Sequence, residues 1–92
     1  MPQEMIKLRQ MLDDMGIEWE DVSSHYKFEE NLIDLSIYRT HFEHKGRHIS
    51  VIIGLGTYGG NEGLLEMWDG NGEPEGWLTA KDIIEILKGE NE

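Results

Sequence analysis

The sequence predicts an α+β domain, in which an antiparallel sheet of about four to five strands, arranged as a meander, packs against an N-terminal and a C-terminal helix. Near both ends of the chain, apolar residues recur at spacings of three and four, as on one face of a helix. Between them, β-branched and aromatic residues alternate with polar ones and are interrupted by glycine-containing turns. With 92 residues, the whole chain, 1–92, is expected to form one domain around one core.

Each predicted helix has its own start or stop signal. Gly16 stands where the first helix, expected over residues 2–15, would need a C-terminal cap. Thr79 and Asp82 have the spacing of a capping box at the start of the second helix, and Gly89 ends it. The apolar stripes are Met5, Leu8, Leu12 and Met15 in the first helix and Ile83, Ile84, Ile86 and Leu87 in the second.

The strands are expected over residues 17–22, 32–42, 48–53, 64–68 and 73–78, with residues 23–30 as a loop or an edge strand. Lys45 and Gly46 predict the two-residue loop of a hairpin, which would pair Glu43 with His48 and place His41 opposite Ser50. Alternation then gives a core face with Tyr38, Thr40, Phe42, Ile49, Val51 and Ile53. The opposite, polar face carries Arg39, His41, Glu43, His48 and Ser50.

Charge and composition exclude several classes of protein. The net charge of -11 predicts repulsion from nucleic acid phosphates and from anionic membranes. The chain has no cysteine, which excludes disulfides and thiolate chemistry and fits a reducing cytoplasm. The longest apolar run, residues 49–55, is too short to span a membrane, and the N-terminus does not resemble a signal peptide.

The polar face of the hairpin has three interpretations. It is a solvated sheet surface, or an anion site in which Arg39, Lys45 and Arg47 act with the histidines, or a metal site formed by His41, Glu43 and His48. No helical metal-binding motif supports the last interpretation, and we expect neither a metal nor a cofactor.

A glycine-rich segment, residues 54–63, follows the predicted hairpin. Its G-x-G-x-x-G pattern does not indicate a dinucleotide-binding fold, because no helix follows it and too few residues remain for a parallel sheet. Its backbone amides could form an anion-binding nest, with Tyr58 and Trp68 or Trp77 stacking on a base. A hairpin loop that needs positive φ angles explains the glycines equally well.

No nucleophile or carboxylate pair lies in a context typical of catalysis, so we expect the chain not to be an enzyme.

The charge is unevenly distributed along the chain. Between positions 62 and 92 there are nine acidic residues and only two basic ones, Lys81 and Lys88. Such a surface could bind a basic protein partner or could serve only for solubility. The candidate partner-binding residues of this alternative are Glu73, Glu75, Asp82 and Glu85.

Three stretches, RTHFEHKGRHISVIIGLGTYGG (39–60), GLLEMW (63–68) and GEPEGWLTAKDII (72–84), resemble a family of small proteins encoded by phages and prophages of Gram-positive bacteria. MLDDMGIEWEDVS (11–23) resembles the start of the same family. The resemblance implies expression from a phage gene in the cytoplasm of the host bacterium. It suggests an accessory factor that counters host defence, and it carries over no catalytic or binding residue.

Together these features predict a non-catalytic protein that sequesters a small anionic, nucleotide-like ligand, with its site at a homo-oligomer interface. The alternatives are an acidic, nucleic-acid-mimicking inhibitor of a host defence protein, similar in charge to inhibitors of CRISPR nucleases, and a phage structural or regulatory module. The candidate ligand-binding residues are Arg39, His41, Lys45, Arg47, His48, Gly56, Tyr58, Gly59, Gly60 and Trp68.

Overall fold

A computed structural model describes residues 2–24, 27–28, 33–34, 37–54, 62–70 and 72–89. Its elements are, in chain order, helix α1 (Gln3–Asp14), strands β1 (Trp19–Asp21), β2 (Lys27–Phe28), β3 (Ile33–Asp34), β4 (Ile37–His44), β5 (Arg47–Gly54), β6 (Leu65–Trp68) and β7 (Glu75–Leu78), and helix α2 (Ala80–Gly89). Among these residues, neither helix is long and apolar enough to cross a membrane.

Five strands form an antiparallel sheet in the order β1-β4-β5-β6-β7, and the predicted α+β fold is confirmed. Both helices supply the buried core together with the inward side chains of this sheet, so they cover one face. Neither helix covers the other face, which we call the open face. The buried hydrophobic residues are Met5, Leu8, Leu12, Phe42, Ile49, Val51, Ile53, Leu65, Met67, Leu78, Ala80, Ile83, Ile84 and Leu87.

The register of the β4–β5 hairpin is the one that the sequence predicts. Glu43 pairs with His48 and His41 pairs with Ser50, so the predicted core and polar faces are confirmed. In the connecting loop, φ is 53° at Lys45 and 79° at Gly46. Two successive positive φ angles define a type I′ turn, whose twist matches that of the flanking strands.

The prediction of a single strand over residues 32–42 is wrong, because the first part of this segment pairs with a different strand from the second part. β3 pairs with β2 in a separate two-stranded sheet, and β4 begins only at Ile37. Ser24 and Ile37 exchange both backbone hydrogen bonds, with N···O distances of 2.8 and 2.7 Å, where the chain leaves and re-enters the main sheet. A continuous pattern of β-branched residues carries no signal for such a change of partner.

Helix α1 ends as predicted at Gly16, where φ is 73°. The Gly16 amide donates to the Asp13 carbonyl at 3.0 Å, and the Ile17 amide donates to the Leu12 carbonyl at 2.9 Å. These two bonds form a Schellman motif. Because the motif uses Ile17, β1 starts two residues later than the alternation of the sequence suggests.

The start of helix α2 has the predicted capping box and one further acceptor. The Asp82 amide donates to Thr79 Oγ1 at 3.1 Å, and the Thr79 amide donates to Asp82 Oδ2 at 3.0 Å. The hydrogen bond from the Thr79 amide, and then one from the Thr79 side chain, hold the pKa of the Asp82 carboxyl below its ordinary value. Glu4 Oε1 accepts the Ala80 amide at 2.8 Å, so a carboxylate of α1 caps α2.

We expect Thr79→Ala to lower the free energy of unfolding by about 1 kcal/mol, because the Asp82 amide loses its acceptor. Urea denaturation followed by circular dichroism measures the change. Thr79→Ser keeps the hydroxyl and is the matched control. Equal losses in the two variants would show that the hydroxyl does not cap the helix.

Candidate functional site

The open face of the sheet carries a groove of about 500 Å³. Its lining residues come from three adjacent strands and the turn after them: Arg39, His41, His48, Ser50, Ile52, Glu66, Trp68, Asp69, Gly70 and Pro74. The volume lies in the range of sites for small molecules.

The sheet register orders these side chains in two rows. Ser50 pairs with His41 on one side and with Trp68 on the other. Ile52 in the same way lies between Arg39 and Glu66. Since neighbouring strands are about 4.8 Å apart, each row spans about 10 Å from β4 to β6.

The indole of Trp68 forms part of the β6 side of the groove. Its Nε1 donates to the Gly72 carbonyl at 3.0 Å, which fixes the orientation of the ring, yet 45% of the residue is exposed. An exposed aromatic ring held in place can stack on a planar ligand with little loss of side-chain entropy.

His41 and His48 lie together on the opposite side. Their ring centroids are 4.8 Å apart and the rings are almost perpendicular, at 78°. Burial, and then the neighbouring His48 and Arg39, hold the pKa of His41 below its ordinary value, against the opposing effect of Glu20 on β1. His41 is therefore mainly neutral at pH 7.

Arg39 has a buried Nε that no acceptor among the described residues reaches. The backbone of Arg39 is firmly held: its amide donates to Ser23 Oγ at 3.0 Å, and its carbonyl accepts the Val22 amide at 3.0 Å. The same carbonyl accepts Arg9 Nη2 at 3.3 Å. A buried guanidinium nitrogen without an acceptor costs free energy.

Arg9 joins helix α1 to β1 and β4 beneath Arg39. Its Nε donates to Thr40 Oγ1 at 2.8 Å and its Nη2 donates to Asp21 Oδ1 at 3.2 Å, while its guanidinium carbon lies 4.7 Å from the centroid of the Trp19 ring. Hydrogen bonds from Ser23, and then the charge of Arg9, hold the pKa of Asp21 below its ordinary value. The sequence analysis missed Arg9. The only signal was its position beside Leu8 and Leu12 on the apolar stripe.

A second depression, of about 600 Å³, adjoins the histidines at the end of the sheet. Glu18, Glu20 and Glu43 line it together with His41 and His48, so its field disfavours an anion. Among the residues that the structure describes, no three His, Asp or Glu side chains are grouped so that they could hold a metal ion. The interpretation of His41, Glu43 and His48 as a metal site therefore has no geometric support.

The remaining candidate ligand residues lie elsewhere. Lys45 is exposed at the tip of the hairpin, and Arg47 Nη1 donates to Asp69 Oδ2 at 3.3 Å. Neither residue lines the groove. Trp77, the other candidate for stacking, is 58% exposed, with φ of 62° at the irregularity between β6 and β7. Gly56, Tyr58, Gly59 and Gly60 lie outside the described residues.

Sequence analysis did not assign Ile52, Glu66, Asp69 or Pro74 to a site. Extending the alternation from β5 to the adjacent strand would have placed Ile52 and Glu66 on the same face as Arg39. Asp69 and Pro74 belong to the turn between β6 and β7, for which the alternation of strands gives no signal.

The candidate partner-binding carboxylates do not share one environment. Glu73 and Glu75 are exposed at the β6–β7 turn. Asp82 is half-buried in the cap of α2, and Glu85 lies with Lys81 and Lys88 around a shallow depression between the helices.

The lowered pKa of His41 predicts how stability depends on pH. The folded chain binds fewer protons than the unfolded chain, so the contribution of His41 is complete above pH 6.5 and is lost as the pH falls through its folded pKa. We expect the unfolding temperature to fall between pH 7.5 and pH 5, and to fall less in His41→Gln. An equal fall in both proteins, measured by calorimetry, would contradict this assignment.

Comparison of the chain with protein-family models, with curated proteins and with solved structures gives no match.

Proposed function

We propose that this chain is a non-catalytic binding protein that sequesters a small anionic, nucleotide-like ligand in the groove on the open face of the sheet. The main observation in support is that Arg39, His41 and His48 line one groove together with the exposed ring of Trp68. A guanidinium group binds an oxyanion through charge-assisted hydrogen bonds, and an aromatic ring offers a surface for a base.

The rest of the groove fits the same class of ligand. Trp68 offers a ring surface for a base, and His41 and His48 can donate to oxygen atoms. No step of the proposal requires a bond to be made or broken. The resemblance to phage proteins suggests a role for such capture in the host cytoplasm: it would remove a nucleotide signal from a defence system.

We also propose that a second copy of the chain completes the site. A domain of 92 residues is small for enclosing a nucleotide. A symmetric dimer would cover the groove without a second kind of protein.

Native mass spectrometry of the protein purified from bacterial cells tests both statements at once. We expect an oligomer that carries an adduct of nucleotide mass. Calorimetric titration with nucleoside monophosphates, cyclic nucleotides and uncharged nucleosides then identifies the class. No adduct, together with no heat of binding for any of these compounds at millimolar concentration, would contradict the proposal.

Lys45→Gln and Arg39→Gln form a matched pair for this test. Each removes one positive charge from strand β4 or its turn, but only Arg39 lines the groove. We expect nucleotide affinity to fall in Arg39→Gln and to remain within twofold in Lys45→Gln. Equal losses would indicate a general effect of charge rather than a site.

The second candidate function is an acidic inhibitor that binds a basic protein. The observation in its favour is that Glu73, Glu75 and the large ring of Trp77 are all exposed at or near the β6–β7 turn. A bare monomer in native mass spectrometry would favour it. It also predicts that the double variant Glu73→Lys/Glu75→Lys loses the partner, and that binding weakens steeply with added salt.

A further inference from the structure

The groove is asymmetric in charge from one side to the other. On the β4 side lie Arg39 and the ring of His41, against which the ring of His48 on β5 packs. On the β6 side lie Trp68, Glu66 and Asp69, and Asp69 forms an ion pair with Arg47 at 3.3 Å. A ligand oxyanion on the β6 side would lie beside the Glu66 carboxylate and this ion pair, whereas on the β4 side it would lie beside a guanidinium group and two imidazoles.

We infer that the groove binds a nucleotide in one orientation, with the base on Trp68 and the phosphate against Arg39, His41 and His48, and that His41 takes up a proton when the phosphate binds. This inference rests on the proposed function and adds the orientation and the proton to it. The separation of about 10 Å between the two sides suits a nucleotide, whose base and phosphate lie at opposite ends.

The positions of the charged groups explain why phosphate binding would favour protonation of His41. In the free protein, a positive charge on His48 or on Arg39 disfavours protonation of His41, whose ring centroid lies 4.8 Å from that of His48. Other charged groups near His41 are Glu20 on β1, Glu18 before it and Glu43 on β4, and the far side of the groove has Glu66 and the ion pair of Asp69 with Arg47. A phosphate between Arg39 and the rings would add a negative charge at hydrogen-bond distance, which favours the imidazolium form.

The test compares 3′,5′-cyclic nucleoside monophosphates with the corresponding uncharged nucleosides between pH 8.0 and 5.5. A phosphodiester keeps a single charge over this range, so any change in its affinity reports protons bound by the protein. We expect the Kd of the cyclic nucleotide to decrease about tenfold as the pH falls from 7.5 to 6.0, because one proton is taken up on binding. The Kd of the nucleoside should stay constant.

Four variants separate the two ends of the ligand. Trp68→Ala should weaken the nucleoside and the cyclic nucleotide by a similar factor, whereas Arg39→Gln should weaken only the cyclic nucleotide. His41→Gln should remove most of the pH dependence. His44→Gln is the matched control, because His44 lies on the same strand but faces the helices, where its Nε2 is 3.3 Å from the Leu87 carbonyl.

The outcomes distinguish the inference from the proposed function. Binding of the cyclic nucleotide without pH dependence, or an equal effect of Arg39→Gln on both ligands, overturns the inference and leaves the function standing. If neither the cyclic nucleotides nor the nucleosides bind at any pH, the inference and the proposed function are both overturned. Histidine ring signals in NMR give an independent readout: the pKa of His41 should rise when the cyclic nucleotide saturates the protein.

Discussion

Replacing Arg9 with alanine is expected to lower the free energy of unfolding by about 3 kcal/mol. The side chain is 8% exposed, and alanine would leave a cavity between helix α1 and the sheet. Thr40 Oγ1, which is fully buried, would lose the donor that now lies 2.8 Å away. The contact with the ring of Trp19 would also disappear. Chemical denaturation monitored by tryptophan fluorescence measures the loss.

Two further variants separate packing from charge. Arg9→Met keeps most of the volume and should recover about half of the loss, because Asp21 is about half-exposed and does not become a buried unpaired charge. Lys7→Ala removes a charge from the exposed side of the same helix and should change stability by less than about 0.5 kcal/mol. A loss below about 1 kcal/mol in Arg9→Ala would show that the network contributes little to the fold.

Removing both Arg39 and Trp68 should have the largest effect on binding. Loss of a charge-assisted hydrogen bond or of one stacked base each costs about 1.5–3 kcal/mol, which corresponds to about 10–100-fold in Kd. The two side chains contact opposite ends of the proposed ligand, so their effects should add and the affinity of the double variant should fall by about 10²–10⁴-fold. Calorimetric titration of the four proteins of this cycle gives the result.

Unfolding curves for the same proteins serve as the control. Both side chains line the open face, away from the buried core, and should alter stability by less than about 1 kcal/mol. If the double variant binds the nucleotide as well as either single variant does, Arg39 and Trp68 do not make independent contacts with the two ends of the ligand. If either single variant is substantially unfolded, the replaced residue has a structural role instead.

Strand alternation made the β4–β5 hairpin predictable, because a slip of one residue would have buried Arg39 and His41 and exposed Phe42 and Ile49. That register also predicts which side chains meet in the groove on β4 and β5. The caps at Gly16 and Thr79 were predictable because each depends on residues adjacent in sequence.

The rest depends on contacts between distant parts of the chain. An arginine on an apolar helix stripe usually extends its charged end to solvent, so no local pattern could indicate that Arg9 reaches Thr40. The exchange of partners between β3 and β4 and the far side of the groove likewise require the completed sheet. Local sequence predicts faces of elements, but it does not predict which remote elements close a site.

The bridge between Ser24 and Ile37 has a consequence for how this chain could vary in length. Reciprocal backbone hydrogen bonds between these two residues are the arrangement that closes a two-residue hairpin loop. An Asn-Gly loop in place of residues 25–36 could therefore close the same bridge, and we expect the shortened protein to retain cooperative unfolding. Loss of cooperative unfolding would mean that the segment is needed for the core. If the shortened protein folds, this position is a natural point for grafting reporter peptides, and for insertions and deletions among related chains.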